Sequence, residues 1–446
     1  MNVAVMKTKA EMTLAETFGS VAEALPGGAE VKAARAAAIG RFAAGGLPHR
    51  RIEEWKYTDL RGVMKDALPV AVGDETKTTI ADVIVAMGAI GRIDAPRFVL
   101  VNGRYRKDLS NLSGASGITV TPLSEKLAEG DASGLDATDE DRGASALLAL
   151  NAAYVSDGAV IEVKDGTKLD LPLLVVHVRA GAVPQLSVGR NRIVVGKGAT
   201  VTIAEIFVAV PGSTVDGQVN SASEVQLGEG ASLSHIKVAT DLGSVTHLAN
   251  WLVELGGESS YRAFQYTSSV GVARNQLRAT FKGEHAKLDI SGVFLGRKSE
   301  HIDTTLFVDH AVPHGESREL FKGVLDGEAR GIFQGKVIVR PDAQKTDGKQ
   351  MAQALMLSET AEFDSKPELE IYADDVVCGH GSTAAELDHD LLFYLRARGI
   401  PLDQARALLI QSFIGEAIAK VDNTALREAL MEEAETWLAS SAAKSV

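Results

Sequence analysis

Between about Asn151 and Val377 the chain abandons helical periodicity and begins to repeat itself. Short segments of alternating apolar and polar residues recur there, separated by glycine-containing turns. Gly198-Ala199 precedes Val201, Gly230-Ala231 precedes Leu233, Glu258-Ser259 precedes Tyr261 and His285-Ala286 precedes Leu288, at spacings of 32, 28 and 27 residues. A loose repeat of that length, made of strands and turns, predicts a β-solenoid, in which each rung buries its apolar face only by stacking on the next. A β-sandwich is the competing reading, but so long a run of similar short strands exceeds what one sandwich normally holds.

Composition narrows the function. Forty-three glycines, 12 prolines and 5% aromatic residues fit turn-rich β structure better than a large helical bundle. The formal net charge of −13 argues against an extended nucleic-acid surface or an anionic membrane as partner. No apolar run approaches the ~20 residues that cross a bilayer. Residues 1–25 carry Lys7 and Lys9 but also Glu11, Glu16 and Glu23, and lack the apolar core of a secretory signal. With a single cysteine and no such signal, a reducing, cytoplasmic setting is the simplest expectation.

Helical signals flank the repeat. Residues 11–45 read as helix, closed by Gly45-Gly46 and Pro48. The charged block Pro48 to Leu60 reads as a surface helix burying Trp55 and Tyr57. Asn102-Gly103 between apolar runs predicts a hairpin over 97–105, and residues 106–150 are loop-rich and acidic. Beyond the repeat, Thr383-Ala384-Ala385-Glu386 reads as a capping box starting a helix that ends at Arg398. A second helix carries a broad apolar stripe of Leu402, Ala405, Leu408, Leu409, Phe413, Ile414, Ala417, Ile418 and Val421. A third follows Asn423. The expected domains are a helical or mixed region over 1–150, the solenoid core over 151–382 and C-terminal helices over 383–446.

The stretch from Asp289 to Ile400 resembles the SufB/SufD family of iron–sulfur cluster assembly scaffolds, within it the SufD branch. The matching blocks are Asp309-His310-Ala311-Val312-Pro313-His314-Gly315-Glu316-Ser317, Phe321 to Asp326, Phe333-Gln334-Gly335-Lys336 and Ala343 to Asp347. Lys366 to Ile371, Cys378-Gly379-His380-Gly381-Ser382-Thr383 and Leu392 to Ile400 complete them. Glu53-Glu54-Trp55-Lys56-Tyr57-Thr58 looks like the family's N-terminal hallmark. His380-Gly381 is similar to the SufD pattern, where the SufB partner usually has His-Glu. The resemblance implies a right-handed parallel β-helix flanked by helical N- and C-terminal domains. It also implies a scaffold complex that builds nascent iron–sulfur clusters, made with a SufB-like paralogue and a SufC-like ABC-type ATPase.

The candidate ligands are Cys378 and His380. Two residues apart on a strand, a thiol and an imidazole project from one face, and both residue types bind iron and iron–sulfur clusters. The competing reading packs Cys378 under the first C-terminal helix and has His380 cap a turn. The family implies His380 as a ligand, with Cys378 a ligand or a transient link to the partner. A cluster takes about four protein ligands and this chain has one thiol, so a transient cluster would be shared at a subunit interface. A SufD homodimer could also cover the open solenoid end, and the C-terminal helices are expected to bind the ATPase. His301, Asp303, Asp309, His310 and His314 match no metal motif and read as hydrogen-bonded rung-edge residues. His235, His247 and His285 read as solenoid-face residues.

The sequence has no Gly-x-x-x-x-Gly-Lys-Ser/Thr phosphate loop, so any ATP hydrolysis must belong to a partner, and this subunit is not expected to be an enzyme. Two other functions compete. One is a purely structural partner without cluster ligands. The other is a carbohydrate-active β-helix enzyme, which would call for secretion and exposed aromatic platforms.

Overall fold

The computed structural model describes residues 6–72, 76–135, 142–214, 216–240 and 242–442. Two sheets face each other. One contains, in spatial order, Arg104–Tyr105, Arg97–Val101, Leu173–Arg179, Thr200–Ala209, Ser232–Ala239, Ser260–Ser268, Lys287–Gly296, Glu316–Leu325, Asp347–Met356 and Val377–Ala385. The other contains Ile118–Pro122, Ala159–Val163, Leu186–Val195, Gln218–Leu227, Gly243–Leu255, Val270–Phe281, His301–His310, Arg330–Val339 and Glu362–Ile371. Along the repeat the chain alternates between the sheets, one strand to each per turn. The result is a mainly β structure, a solenoid of about eight turns with helical regions before and after it.

The repeat in the sequence has a backbone cause. Gly166, Gly198, Gly230, Glu258, His285, His314 and Lys345 all adopt left-handed φ, between 54° and 66°. Each sits at the corner of its rung, two residues before a strand or an isolated bridge. The N–H of Gly198 donates to Glu229 O at 3.0 Å, that of Gly230 to Gly257 O at 2.9 Å and that of Glu258 to Glu284 O at 2.8 Å. The parallel ladder therefore continues through the corner, and register is kept at offsets of 27 to 32 residues from rung to rung. Glycine tolerates this conformation freely. Glu258, His285, His314 and Lys345 adopt it under the constraint of the stacked rungs, at a cost of about 1 kcal/mol each.

Three apolar clusters hold the molecule together. The first fills the lumen between the sheets, from Phe98 to Ala373. The second lies on the outer face of the sheet that ends in Val377–Ala385, where helices Leu402–Ile418 and Thr424–Ala442 cover Val238, Val293, Leu295 and Val324. The third packs helices Lys9–Val21, Ala29–Gly45 and Arg142–Tyr154 against the other outer face at Leu186, Val188 and Leu248.

Several expectations shift. The hairpin forms, with Asn102 and Gly103 at φ 48° and 79° as a two-residue primed turn requires. The change of pattern expected at Asn151 falls inside the helix Arg142–Tyr154, and Arg97–Val101 already pairs in parallel with Leu173–Arg179. Residues 383–385 are not the start of a helix. They pair with Gln353, Ala354 and Leu355 in the last strand, and the helix His389–Ala397 is capped instead by Asp388, whose side chain accepts from the Asp390 and Leu391 amides. Backbone bonds to the preceding rung satisfy Thr383 where a local cap would have satisfied only itself.

The 48–60 block forms a short 3₁₀ turn, Glu53–Trp55, rather than a surface helix. It docks on the solenoid: the Arg274 guanidinium lies 3.8 Å over the Trp55 ring and pairs with buried Asp303. The Thr58 hydroxyl bonds the same Asp303 carboxylate and lies 2.8 Å from His301 Nε2. His310 is buried with Nε2 at 3.1 Å from the Ser317 hydroxyl, and burial pushes it down to about 4. His285 and His314 stack ring on ring at 4.6 Å in successive corners.

Two substitutions separate corner strain from lumen packing. A Cβ on Gly198 meets nothing within 4 Å, so Gly198→Ala should cost only the backbone term, about 1 kcal/mol. A Cβ on Gly323 would lie 2.1 Å from Phe294 Cε2 in the adjoining rung, and Gly323→Ala should cost about 1–3 kcal/mol. Thermal unfolding of both variants should rank Gly323→Ala clearly lower; equal midpoints would contradict the packing account.

Candidate functional site

The C-terminal end of the solenoid is where the stacking stops. Val377–Ala385 pairs on one side with Asp347–Met356, and Glu362–Ile371 on one side with Arg330–Val339; beyond them neither strand has a strand partner among the described residues. Open parallel edges of this kind present unpaired N–H and C=O groups. Side chains here are correspondingly open: Tyr372 is 60% exposed and Val377 62%, and Ile371 and Met351 are also exposed.

Period-two alternation sorts the last strand. Val377 points outward, whereas Val376 and Cys378 pack against the lumen cluster. His380, two residues on, projects from the same lumen-facing side and is exposed because no rung follows. The structure thus brings the two expected residues together on one face, at the mouth of the lumen. Cys378 does not sit beneath the first C-terminal helix. Burial pushes its thiol up, and the charges of Asp347 and Glu319 add to that, against a backbone hydrogen bond at Gly348. The free chain therefore presents a thiol rather than a thiolate, which a metal or a partner's cation must convert before it ligates.

The floor of the mouth was not foreseen. Register stacks Ser317, Gly348 and Cys378 in one column, and Glu319, Gln350 and His380 in the next. Gly348 leaves a gap: a Cβ there would stand 3.3 Å from the Ser317 hydroxyl and 3.6 Å from Cys378 Sγ. Glu319 and Gln350 are buried; neither side chain makes a hydrogen bond of good geometry, and the nearby Ser317 hydroxyl, which pulls weakly on Glu319, pairs instead with His310. Burial pushes Glu319 up to about 8. Carrying the 27–32-residue offset two rungs back from His380 would have pointed to both positions, but nothing in their local sequence marks them.

Deeper in the lumen a second polar group is fully partnered. Glu205 Oε1 lies 2.8 Å from His235 Nε2, and His235 Nδ1 lies 2.8 Å from the Tyr261 hydroxyl. Lys237 Nζ donates to Asn275 Oδ1 at 2.7 Å, and burial lowers it to about 7. These groups explain His235 as an inward solenoid residue. Among the described residues, no three His, Cys, Asp or Glu side chains gather closely enough to cage a metal ion.

Two sequence-family models match the chain. One, described as SUF system FeS cluster assembly, SufBD core domain, covers residues 177–413; the other, SufBD protein N-terminal region, covers residues 13–175. An iron–sulfur cluster assembly SufBD family protein of Synechocystis sp. is 32% identical over 399 residues, 86% of each chain. The iron–sulfur cluster assembly protein SufD of Escherichia coli is 29% identical over 389 residues, 86% of this chain and 88% of its own. SufD of Bacillus subtilis is 28% identical over 286 residues, 64% of this chain and 65% of its own.

The buried Glu319 carboxyl makes stability depend on pH in a defined direction. Its folded value of about 8 exceeds the ordinary 4.5 of the unfolded chain. Between those values the unfolded chain has released the proton and the folded chain keeps it, so stability falls as pH rises across that window. The slope is up to about 1.4 kcal/mol per pH unit. Glu319→Gln should remove that slope in chelator-treated protein and raise the thermal midpoint at pH 7. An unchanged pH profile of unfolding would contradict it.

Proposed function

The chain belongs to the SufB/SufD family of iron–sulfur cluster assembly proteins, and from that premise we propose that it is the SufD-like subunit of a SufBCD-type scaffold whose cargo is the nascent cluster. The observation that carries the reading is the placement of Cys378 and His380 on the lumen-facing side of the last strand, at an open solenoid end. A SufB-like paralogue docked on those edges would continue the ladder and bring its own ligands over the mouth. One thiol and one imidazole here are then half of a shared site. His380 ligates the cluster, and Cys378 joins it once deprotonated. A second copy of this chain could cover the same edges, and native mass measurement distinguishes the two assemblies. The proposed setting is cytoplasmic; among the described residues, no helix is long and apolar enough to cross a membrane.

The subunit performs no turnover of its own in this reading, and ATP hydrolysis belongs to a SufC-like ATPase. The apolar stripe on Leu402–Ile418 does not by itself require that partner. Ile410, Ile414, Ala417 and Ile418 are buried, in the cluster shared with the solenoid's outer wall. Leu402 and Leu408 of the stripe stay exposed, and so does the preceding helix, His389–Ala397, where Leu391, Tyr394 and the 74%-exposed Phe393 face solvent. We assign the ATPase contact to the exposed apolar side chains of that helix, together with exposed Leu402 and Leu408 on the next helix.

Two experiments test these assignments. His380→Ala should leave the complex assembled but reduce its iron and sulfide content several-fold; a full complement of cluster would make this chain a structural partner without ligands. Phe393→Asp should weaken co-purification of the ATPase at least tenfold while shifting the thermal midpoint little, because the side chain is solvent-exposed. Undiminished co-purification would move the contact elsewhere.

A further inference from the structure

Glu319 and Gln350 are 3% exposed each, and all four of their side-chain polar atoms lack partners. They occupy adjoining rungs in register, directly below His380. The Ser365 hydroxyl, on the last strand of the facing sheet, is buried and unpartnered as well. Space has been made for this group: a Cβ on Gly335 would lie 2.1 Å from Gln350 Nε2. Buried carboxyl and amide groups that the protein leaves unbonded call for a water, a proton or an ion. Glu205, in the same lumen, is given His235 and Asn191 as partners, so the solenoid interior can satisfy a carboxylate where nothing else is to bind.

We propose that Glu319 and Gln350 bind one divalent transition-metal ion of the iron(II) class, one rung below His380. Adjoining rungs are about 4.8 Å apart, so side chains stacked on neighbouring rungs can reach one ion with metal–oxygen bonds of about 2.1 Å, the length typical of small divalent ions. A carboxylate and an amide oxygen form a hard donor pair suited to iron(II) or manganese(II) rather than to a thiolate-seeking metal. The site is a way-station from which iron reaches Cys378 and His380. That destination rests on the cluster-assembly reading; the binding itself does not.

Anaerobic titration of the full-length chain with iron(II), and with manganese(II) followed by electron paramagnetic resonance, tests the site. The wild type should take up one tightly held ion per chain, and the ion should raise its thermal midpoint. Glu319→Gln and Gln350→Ala should each weaken binding at least tenfold and abolish that thermal shift. Neither should unfold in chelator more than a few degrees below the wild-type temperature; at pH 7 Glu319→Gln should unfold above it, because a buried carboxyl no longer costs stability. Absence of saturable binding to the wild type, or wild-type affinity in both variants, overturns the proposal. His380→Ala separates this from the broader reading: it should keep most of the ion affinity while losing cluster. If it assembles clusters normally and Glu319→Gln still loses the ion, the cation site stands and the cluster-ligand reading falls.

Discussion

Everything in this molecule depends on one rung hydrogen-bonding in register to the next. No single turn of a solenoid buries enough apolar surface to persist alone; stability comes from neighbour-to-neighbour stacking. The parallel ladders, the left-handed corner at each turn and the lumen cluster are three aspects of that contact. It also explains why non-glycine residues hold a costly backbone conformation at Glu258, His285, His314 and Lys345, since register on both sides prescribes the corner. A solenoid must end somewhere, and its two ends differ. The first rungs finish in short antiparallel strands, Arg104–Tyr105 and Ile118–Pro122, beside the N-terminal helices. The last rung finishes in two parallel edges with lumen-facing polar side chains.

That asymmetry places the chemistry. Within the lumen, the two buried glutamates are treated differently. Burial alone would raise Glu205, yet the hydrogen bond and charge of His235 hold it below the ordinary carboxylate value. Glu319 is as deeply buried, and the weaker pulls of Ser317 and Arg318 do not offset that burial, so it is held up at about 8. The difference is position: Glu205 lies mid-solenoid, whereas Glu319 lies two rungs below an open mouth that also carries a thiol and an imidazole.

Periodicity along the chain was legible in the sequence because it is local. The 32-, 28- and 27-residue spacings mark the corner residues, and the solenoid follows from them. The hairpin at Asn102-Gly103 was legible for the same reason, since two left-handed residues in a row need that chemistry. Cys378 and His380 could be placed on one face by alternation alone. The helix predicted from Thr383 was wrong because a capping box competes with a ladder whose partner strand lies about thirty residues earlier, and local sequence does not register that competitor. Of the apolar stripe expected on Leu402–Ile418, Ala405, Ile414, Ala417 and Ile418 are buried, the last three against this chain's own sheet and neighbouring helices. Leu402 and Leu408 stay exposed.

What the sequence determined by itself was the period, the corner chemistry, the facing of Cys378 and His380, and a family resemblance spread over ordered blocks. What only the tertiary structure decided was which side of the last strand is the lumen, that this lumen is open there, and that Glu319 and Gln350 form its floor. The physical reason is that alternation gives a side chain's face only relative to its neighbours on the same strand. Which face is interior, and which distant residues stack into one column, depends on hydrogen bonds between rungs. Those bonds exist only once the chain has wound back on itself.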